Sequence, residues 1–246
     1  MRVAVISDIH GNDLALEAVL ADIATQGIAE IVNLGDHLSG PLNAARTADI
    51  LAEHNIPAIR GNHDRYLLTL DPAHMGPSDR AAHDELEPRH LAWLASLPET
   101  RVYRGALFLC HGTPRSDETY WLETLAADGI VHMAGRDIIE SFAADTDYPV
   151  ILCGHTHIPR AVRLTDGRLV VNPGSVGCPG YDDDKPVPHK VENGSPDARY
   201  AIVERSGDEW NATFRCVRYD HMAMSRLAAR RNRPEWARAL ATGFLD

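Results

Sequence analysis

Three apolar segments near the start of the chain each end in polar side chains, and this pattern constrains the fold more than any other feature. The segments are residues 3–6, 28–34 and 56–59, and they end in Asp8-Ile9-His10, Gly35-Asp36 and Gly61-Asn62-His63-Asp64. Between the first two lies a stretch, residues 13–23, with apolar side chains at helical spacing. Buried strands alternating with helices indicate an α/β fold, in which the loops after the strands form ligand sites. We therefore expect the polar strand ends to share one site.

The rest of the chain repeats the pattern twice. Residues 106–110 end in His111-Gly112, and residues 148–153 end in Gly154-His155-Thr156-His157. Asp8 and His10 alternate along what we expect to be an extended backbone, so they should project from one side. Further helices are predicted at 44–54, 122–127 and 136–143, and a region interrupted by prolines, 66–97, reads as helical. Hairpins are predicted at 100–110, 161–171 and 200–217, an irregular insertion at about 178–197, and a helical tail at about 220–246.

Length and charge limit the possible functions. The 246 residues are enough for one large domain, and no linker suggests a boundary, so we expect a single domain over 1–246. The 24 Lys and Arg against 35 Asp and Glu give a formal net charge of -11. Such a surface repels phosphate backbones, which argues against bulk nucleic acid as a partner. A small phosphorylated substrate remains compatible, because divalent metal ions in a cleft reverse the local field.

The cysteines and the amino terminus indicate a cytoplasmic protein. The four cysteines, Cys110, Cys153, Cys178 and Cys216, show no CxxC pairing, and we expect buried, reduced thiols. The first apolar run is too short for a signal peptide or a membrane span, and the basic tail is expected to pack against the domain instead of a membrane. The sequence gives no indication of the oligomeric state.

The strand ends together supply a set of nitrogen and oxygen donors: Asp8, His10, Asp36, Asn62, His63, His111, His155 and His157. Zinc, manganese and iron accept such ligands, and no thiolate is among them. Eight groups exceed the needs of one tetrahedral ion and suffice for two ions that share a carboxylate, an arrangement that serves phosphoryl transfer. A single histidine at a strand end is more often structural than a ligand. The remaining histidines are therefore read as structural or surface residues, with His37 and His189 the least secure.

These motifs, in this order, resemble those of the calcineurin-like metallophosphoesterase superfamily. The loop Asn172-Pro173-Gly174-Ser175-Val176-Gly177 further resembles its small bacterial phosphodiesterase branch. The resemblance implies a four-layer α/β/β/α sandwich with two mixed β-sheets and two divalent ions, Mn, Fe or Zn. It assigns Asp8, His10 and His157 to one ion and Asn62, His111 and His155 to the other, with Asp36 as the bridging, catalytic carboxylate.

The same resemblance leaves His63 without a metal and implies that it contacts the substrate phosphate and protonates the leaving oxygen. The neighbouring Asp64 either orients a side chain or caps the loop. The implied reaction is hydrolysis of a phosphodiester or phosphomonoester by in-line attack of a hydroxide that bridges the metals. The substrate is expected to be a small phosphorylated molecule or a nucleotide. Alternatives are a phosphoprotein or dinucleoside polyphosphate hydrolase, a DNA-repair type nuclease, and a non-catalytic metal-binding interaction module.

The insertion at 178–197 departs from the family pattern. It begins Cys178-Pro179-Gly180-Tyr181 and continues with the acidic run Asp182-Asp183-Asp184. Two interpretations are open: Tyr181, the acidic run and His189 shape the mouth of the substrate site, or the insertion is a solvated loop.

Overall fold

The computed structural model describes residues 1–246 and contains eight α-helices and thirteen β-strands. The strands are β1 (Arg2–Ile6), β2 (Glu30–Asn33), β3 (Arg101–Tyr103), β4 (Leu107–Leu109), β5 (Glu123–Leu125), β6 (Val131–Met133), β7 (Val150–Leu152), β8 (Arg160–Arg163), β9 (Leu169–Asn172), β10 (Gly180–Asp183), β11 (His189–Glu192), β12 (Ala198–Ser206) and β13 (Glu209–Val217). The helices are α1 (Asp13–Thr25), α2 (Ala44–His54), α3 (Asn62–Thr69), α4 (Pro77–His83), α5 (Pro88–Ser96), α6 (Arg136–Ala143), α7 (His221–Arg230) and α8 (Pro234–Thr242), and a 3-10 turn lies at Pro72–His74.

Two larger sheets form the centre of the molecule, and both are mixed, as predicted. The four-stranded sheet has the order β13-β12-β1-β2, in which β1 and β2 are the only neighbouring strands that run parallel. The five-stranded sheet has the order β3-β4-β7-β9-β8, with β4, β7 and β9 parallel. Two further two-stranded sheets, β5-β6 and β10-β11, raise the total above the two sheets that were predicted.

The alternation of side chains along β1 explains how helices and sheets stack. Val5 belongs to an apolar cluster that also holds Leu109 of β4 and Leu152 of β7, so this cluster fills the space between the two larger sheets. The neighbouring Ile6 lies in a different cluster, with Leu16 of α1. Because successive side chains of a strand point to opposite faces, β1 is covered by a sheet on one side and a helix on the other. Each such buried aliphatic side chain stabilises the fold by about 1.5–3 kcal/mol.

The five-stranded sheet is covered in the same way on its other face. Ile151 of β7 lies in a cluster with Ile139 of α6 and with the buried Trp121. The two central strands, β1 and β7, are thus buried on both faces, which is why their sequences are continuous apolar runs. The polar residues that follow them can reach only the open ends of the sheets.

Prolines mark helix starts in the region that was predicted to be helical but interrupted. Pro72, Pro77 and Pro88 each occupy the first turn of a helical segment, and Pro234 does the same in α8. Proline lacks the N–H that a helix start leaves unbonded, and its fixed φ suits the first turn. The predicted helices over 13–23 and 44–54 are confirmed as α1 and α2.

Two predicted elements are wrong. Residues 56–59 form no strand but a single bridge between Asn33 and Ala58, because Pro57 cannot donate to a ladder and the chain enters α3 at Asn62. Residues 122–127 are not helical, because β5 pairs with β6 across a turn at Asp128-Gly129, where Gly129 has φ 81. An Asp-Gly pair between two apolar stretches was the signal for that hairpin.

In the carboxyl-terminal third, the insertion is more regular than predicted, and the helical tail is as predicted. The insertion at 178–197 contains the hairpin β10-β11 instead of irregular chain. The tail at 220–246 forms α7 and α8, and Met224 and Leu240 pack with Leu42 in a small core of their own. None of the eight helices has both the length and the apolar character needed to cross a lipid bilayer.

Candidate metal centre

The donor residues predicted from the sequence meet at the ends of strands from both larger sheets. Asp8 and His10 follow β1, Asp36 follows β2, His111 follows β4, and His155 and His157 follow β7, while Asn62 is the first residue of α3. All are buried except His155, which is half-buried. The fold therefore brings residues that are up to 149 positions apart (from Asp8 to His157) into one polar cluster inside an otherwise apolar core.

Five of these residues have a left-handed backbone, which corrects the expectation that Asp8 and His10 alternate along an extended strand end. The φ angles are 55 for Asp8, 52 for His10, 54 for Asp36, 69 for His155 and 59 for His157. Only three other non-glycine residues of the chain have positive φ. Such conformations cost about 1–3 kcal/mol each and concentrate at functional sites. The cluster is therefore where this fold tolerates the most backbone strain.

Asp8, His10 and His157 form one group of side chains whose donor atoms lie close enough to share an ion. The Nε2 atoms of His10 and His157 are 3.2 Å apart, and Nε2 of His157 lies 3.5 Å from Oδ1 of Asp8. Two imidazole nitrogens and a carboxylate oxygen at these separations surround a space suited to a divalent ion.

Asp36, His111 and His155 form a second group of this kind. Nε2 of His111 lies 3.2 Å from Oδ2 of Asp36 and 3.1 Å from the side-chain oxygen of Asn62. The same Oδ2 of Asp36 is 3.9 Å from Nε2 of His10. One carboxylate oxygen thus lies between the two groups.

The outer nitrogen of every imidazole is held by a backbone carbonyl. The Nδ1–H of His10 donates to the Ser39 carbonyl at 2.8 Å, that of His111 donates to the Leu34 carbonyl at 2.8 Å, and that of His157 donates to the Cys178 carbonyl at 2.9 Å. In His155 the pattern is reversed, because Nε2 donates to the Glu118 carbonyl at 3.0 Å. Each carbonyl thereby fixes the ring orientation and turns the other nitrogen toward the cluster, as carbonyl partners of metal-binding histidines do.

In both carboxylates, Asp8 and Asp36, one oxygen accepts a hydrogen bond from a backbone N–H. Oδ1 of Asp36 accepts from the His63 N–H at 3.0 Å, and Oδ2 of Asp8 accepts from the His155 N–H at 3.2 Å. This leaves Oδ2 of Asp36 and Oδ1 of Asp8 directed at the imidazoles, and Oδ1 of Asp8 is buried without a hydrogen-bond partner. A buried carboxylate oxygen without a donor is costly, so the residues present fit a bound cation.

The pKa values follow from this crowding. Burial raises the pKa of Asp8, but the charges of His157 and His111 outweigh it and lower the value to about 2. Burial, together with neighbouring imidazoles, lowers the pKa of His10 and of His155 to about 4. Both rings are therefore neutral at pH 7 and have a lone pair to offer. Burial lowers the pKa of His111, whereas Asp36 and Asp8 raise it to about 10, so the carboxylates favour positive charge here.

The loop at 172–177 packs beneath the cluster. The Ser175 hydroxyl donates to the Asp8 carbonyl at 2.7 Å, and the backbone N–H of Gly177 donates to the same carbonyl at 3.0 Å. A Cβ at Gly177 would lie 1.7 Å from the carbonyl oxygen of Ile9. Only glycine allows this approach, so the loop fixes the backbone that presents Asp8 and His10.

His63 lies beside the two groups without belonging to either. Its Nδ1 is 2.7 Å from Oδ1 of Asp79 and 3.3 Å from the Ser39 hydroxyl, and its side chain is 32% exposed. Burial lowers its pKa, but the charge of Asp36 and the hydrogen bond to Asp79 outweigh this effect and raise the value to about 9. His63 is therefore protonated at neutral pH and reaches solvent.

The stretch Gly61-Asn62-His63-Asp64 is the start of α3 and not a loop after a strand. Asp64 accepts from the backbone N–H groups of Gly61, Asp36 and His37 and bonds the His37 ring at 2.7 Å. Asp64 thus both caps α3 and orients a neighbouring side chain, which were the two alternatives. His37 is buried and has the structural role predicted for it.

Asp79 is one residue of this site that the sequence did not reveal. It lies in the first turn of α4 and is 4% exposed. No pattern in the sequence links it to His63, because the contact depends on how α4 packs against α3. The nearest available signal was an acidic residue at a predicted helix start after Pro77, which is common at helix starts for other reasons.

A cavity of about 420 Å³ opens beside the cluster. Its walls include His10, Asp36, Asn62, His63, Asp79, His155, His157, Tyr120, Tyr181, Asp182, Asp183, Arg233, Glu235 and Trp236. The insertion thus contributes Tyr181 and two acidic residues to the cavity wall, while His189 acts through Tyr120, whose hydroxyl lies 2.9 Å from its Nε2. Arg233 and Trp236, from the tail, were not predicted to be near the site.

The thiols are largely as expected. Cys110, Cys153 and Cys178 are buried, and all four cysteines are free. Cys216 is exposed on β13, because alternation along this edge strand turns it to solvent.

Comparisons with known proteins agree with this geometry. The chain is 26% identical over 256 residues to the uncharacterized protein MJ0912 of Methanocaldococcus jannaschii, covering 95% of this chain and 94% of that protein. Among solved structures, a metallophosphoesterase from Sphaerobacter thermophilus is 26% identical, with a TM-score of 0.76 and 99% of each chain covered. The hypothetical protein PH1004 of Pyrococcus horikoshii OT3 shares the fold, at 22% identity, a TM-score of 0.72 and coverage of 100% and 99%.

The sequence profile of the calcineurin-like phosphoesterase superfamily domain matches residues 1–193, which include every residue of the two candidate ligand groups. The chain belongs to the calcineurin-like phosphoesterase superfamily.

Proposed function

We propose that the protein is a dinuclear-metal phosphoesterase that hydrolyses small phosphate esters. The observation that carries this proposal is the pair of donor groups on either side of Oδ2 of Asp36, with every outer imidazole nitrogen bonded to a carbonyl. Side chains arranged for structure alone would satisfy their polar atoms among themselves, whereas here a buried oxygen of Asp8 has no donor.

In this proposal Asp8, His10 and His157 would hold one ion and Asn62, His111 and His155 the other, with Asp36 as the carboxylate shared between them. A set of imidazole, carboxylate and amide donors suits Mn²⁺, Fe or Zn²⁺. Two such ions supply an activated water and neutralise phosphoryl oxygens when they are bound.

His63 serves as the general acid. Asp79 accepts from Nδ1–H, which leaves Nε2–H as the proton that can pass to the leaving oxygen. The backbone N–H of His63 donates to Asp36, so the acid is attached to the bridging carboxylate and its distance from the phosphorus is set by the same residue. In-line geometry and charge neutralisation, together with this proton, account for the catalysis of phosphoryl transfer.

A metal and activity titration tests the proposal. We expect the purified protein to bind about two ions of Mn²⁺ per chain, measured by plasma mass spectrometry, and to hydrolyse bis-p-nitrophenyl phosphate or p-nitrophenyl phosphate. His10→Ala should lose metal and activity together. The matched control is His132→Ala, because His132 is an exposed residue of β6 outside both groups.

The alternatives predict other results. A protein that holds two ions and hydrolyses neither these esters nor phosphopeptides nor dinucleoside polyphosphates is an interaction module, and one that binds none contradicts the assignment of the ligands. Activity only on phosphopeptides or on dinucleoside polyphosphates would move the protein to those substrate classes. We also propose that the enzyme works in the cytoplasm, because its four cysteines are free thiols.

A further inference from the structure

The cavity beside the metal centre has two unlike sides. One side consists of the candidate ligands and His63. The other consists of the hairpin β10-β11 and the start of α8, which contribute Tyr181, Asp182, Asp183 and Trp236. At about 420 Å³ the cavity is near the small end of the range for ligand sites, so it suits a small ester. The second side therefore faces the organic group of any ester whose phosphate lies at the ligands.

A chain of hydrogen bonds fixes the polarity of this second side. Nδ1 of His189 is 2.9 Å from the carbonyl oxygen of Val187, which can only accept, so Nδ1 carries a proton, and in the tautomer with this one ring proton Nε2 accepts. The Tyr120 hydroxyl, 2.9 Å from that Nε2, must then donate to it. The Tyr181 hydroxyl, 2.6 Å from the Tyr120 oxygen, in turn donates to Tyr120. Tyr181 has its only proton engaged and can offer the cavity nothing but an acceptor.

The unpaired charged side chains of the cavity wall are also hydrogen-bond acceptors. Asp79 pairs with His63, and Glu235 pairs with Arg233. Asp182 and Asp183 are the lining carboxylates that form no ion pair with any cationic side chain and do not belong to the donor groups. The second side thus presents two carboxylates that form no ion pair, together with a tyrosine oxygen. The backbone N–H of Lys185 donates to Oδ1 of Asp183 at 2.9 Å, which leaves its Oδ2 as an acceptor, and Lys190 lies opposite Asp182 across the hairpin.

The aromatic rings place these acceptors next to the metal centre. Tyr181 packs edge-on against His157 with ring centroids 4.7 Å apart, and Tyr120 packs against His155 at 5.1 Å. A group two or three bonds from a phosphate at the ligands therefore meets this side of the cavity. An aromatic wall with carboxylates beside it is an environment that attracts cations.

We propose that the hairpin β10-β11 makes the pocket selective for phosphate esters whose organic group carries a cationic nitrogen, with Tyr181, Asp182 and Asp183 as its acceptors. This selectivity rests on the proposed phosphoesterase function and names its substrate class. It disfavours esters with a further anionic group, such as polyphosphates, because that group would face the carboxylates of Asp182 and Asp183.

Four matched p-nitrophenyl phosphodiesters test the selectivity. Their second substituent is 2-aminoethyl, 2-hydroxyethyl, propyl or 2-carboxyethyl, so the size is nearly constant while the charge and hydrogen-bonding capacity change. We expect kcat/KM to fall in that order. An exposed carboxylate contributes up to about fivefold to binding an ammonium group, so the first and last esters should differ by about tenfold or more.

Substitutions assign the effect to residues. Asp182→Asn combined with Asp183→Asn should reduce the preference for ammonium over propyl by at least about threefold, and Tyr181→Phe should lower kcat/KM for the two donor-bearing esters only. Asp184→Asn is the matched control, because Asp184 is an exposed neighbour with the same charge that does not line this cavity. Its selectivity should equal that of the wild type.

Two results overturn the proposal: equal or inverted rates across the four esters, or a preference that the Asp182 and Asp183 substitutions leave unchanged. If the metal-loaded protein hydrolyses none of the esters, the phosphoesterase function itself is wrong. The selectivity is then decided by calorimetric titration of the metal-loaded protein with 2-aminoethyl, propyl and 2-carboxyethyl phosphate. Tighter binding of the 2-aminoethyl compound supports the selectivity, and equal binding refutes it.

Discussion

Replacing Asp79 by asparagine should weaken acid catalysis without disturbing the metal centre. The Asp79 carboxylate bonds Nδ1 of His63 at 2.7 Å and is buried, whereas the His63 side chain is 32% exposed. A charge-assisted hydrogen bond is worth about 1.5–3 kcal/mol, and partial exposure places this one near the lower end. If the bond stabilises the productive position of His63 by about 1.5–2 kcal/mol, then kcat should fall by about 10- to 30-fold.

The size of the effect should depend on the leaving group, which separates a positioning residue from a structural one. A p-nitrophenolate ion leaves without much help from an acid, whereas an alkoxide requires the proton. We therefore expect Asp79→Asn to reduce kcat strongly for an alkyl phosphate ester and only slightly for a p-nitrophenyl ester. Steady-state rates on the two esters, with metal content measured on the same samples, provide the comparison.

Asp84→Asn is the appropriate control, because Asp84 is an exposed carboxylate that caps the same helix, α4, and pairs with Arg80. Its kcat should match the wild type on both esters. The reasoning about Asp79 is refuted if Asp79→Asn lowers kcat equally for both leaving groups, or if that variant loses a metal ion.

Three further perturbations test other parts of the molecule. Asp22 accepts hydrogen bonds from Arg215 and Tyr200. The hydrogen bond from Arg215 lowers the pKa of Asp22, although burial raises it. The stability that these bonds contribute is therefore complete above the unfolded-state pKa of about 3.9 and is lost as pH falls through the lower folded-state pKa. Asp22→Asn should thus cost about 1–2 kcal/mol in urea unfolding at pH 7 and less at pH 3; an equal cost at both would contradict the linkage. Leu152→Ala should cost about 2–5 kcal/mol, because Leu152 is fully buried between the sheets, and a smaller loss in the same assay would mean that the core collapses around it. Adding Mn²⁺ at about a hundredfold excess over its Kd should stabilise the protein by about 2.7 kcal/mol, seen as a chelator-reversible rise in Tm, whereas His10→Ala should show no such rise.

The set of donor residues could be predicted because each follows an apolar segment that reads as a buried strand, whereas the division into two ligand groups was implied by the family resemblance. Asp8, Asp36 and His155 each come directly after a buried strand, and the ends of neighbouring parallel strands necessarily meet. The two mixed sheets were implied by the family resemblance, whereas the α/β class follows from the alternation of strands and helices. The reading of apolar segments as strands fails for residues 56–59, where Pro57 removes one donor and leaves a single bridge.

The second half of the site could not be predicted in this way. Asp79, Tyr120 and Trp236 reach the cavity through helix packing and loop paths, which no local period encodes. Tyr181 was noted as a mouth residue because of its unusual context, but the hairpin that presents it was not predicted, since its strand sequence Gly180–Asp183 is mostly glycine and aspartate. Its pairing with His189–Glu192 overrides that poor strand propensity.

The left-handed backbone of the candidate ligands has a consequence for how the protein can evolve. At Asp8, His10, Asp36, His155 and His157 a glycine would adopt the observed φ without strain. Mutations that improve the backbone at these five positions are therefore the ones that remove the donor atoms. At these five positions, selection for a more stable fold and selection for metal binding favour different residues. In relatives that no longer need the metal centre, we therefore expect the donor side chains to be replaced first at these positions.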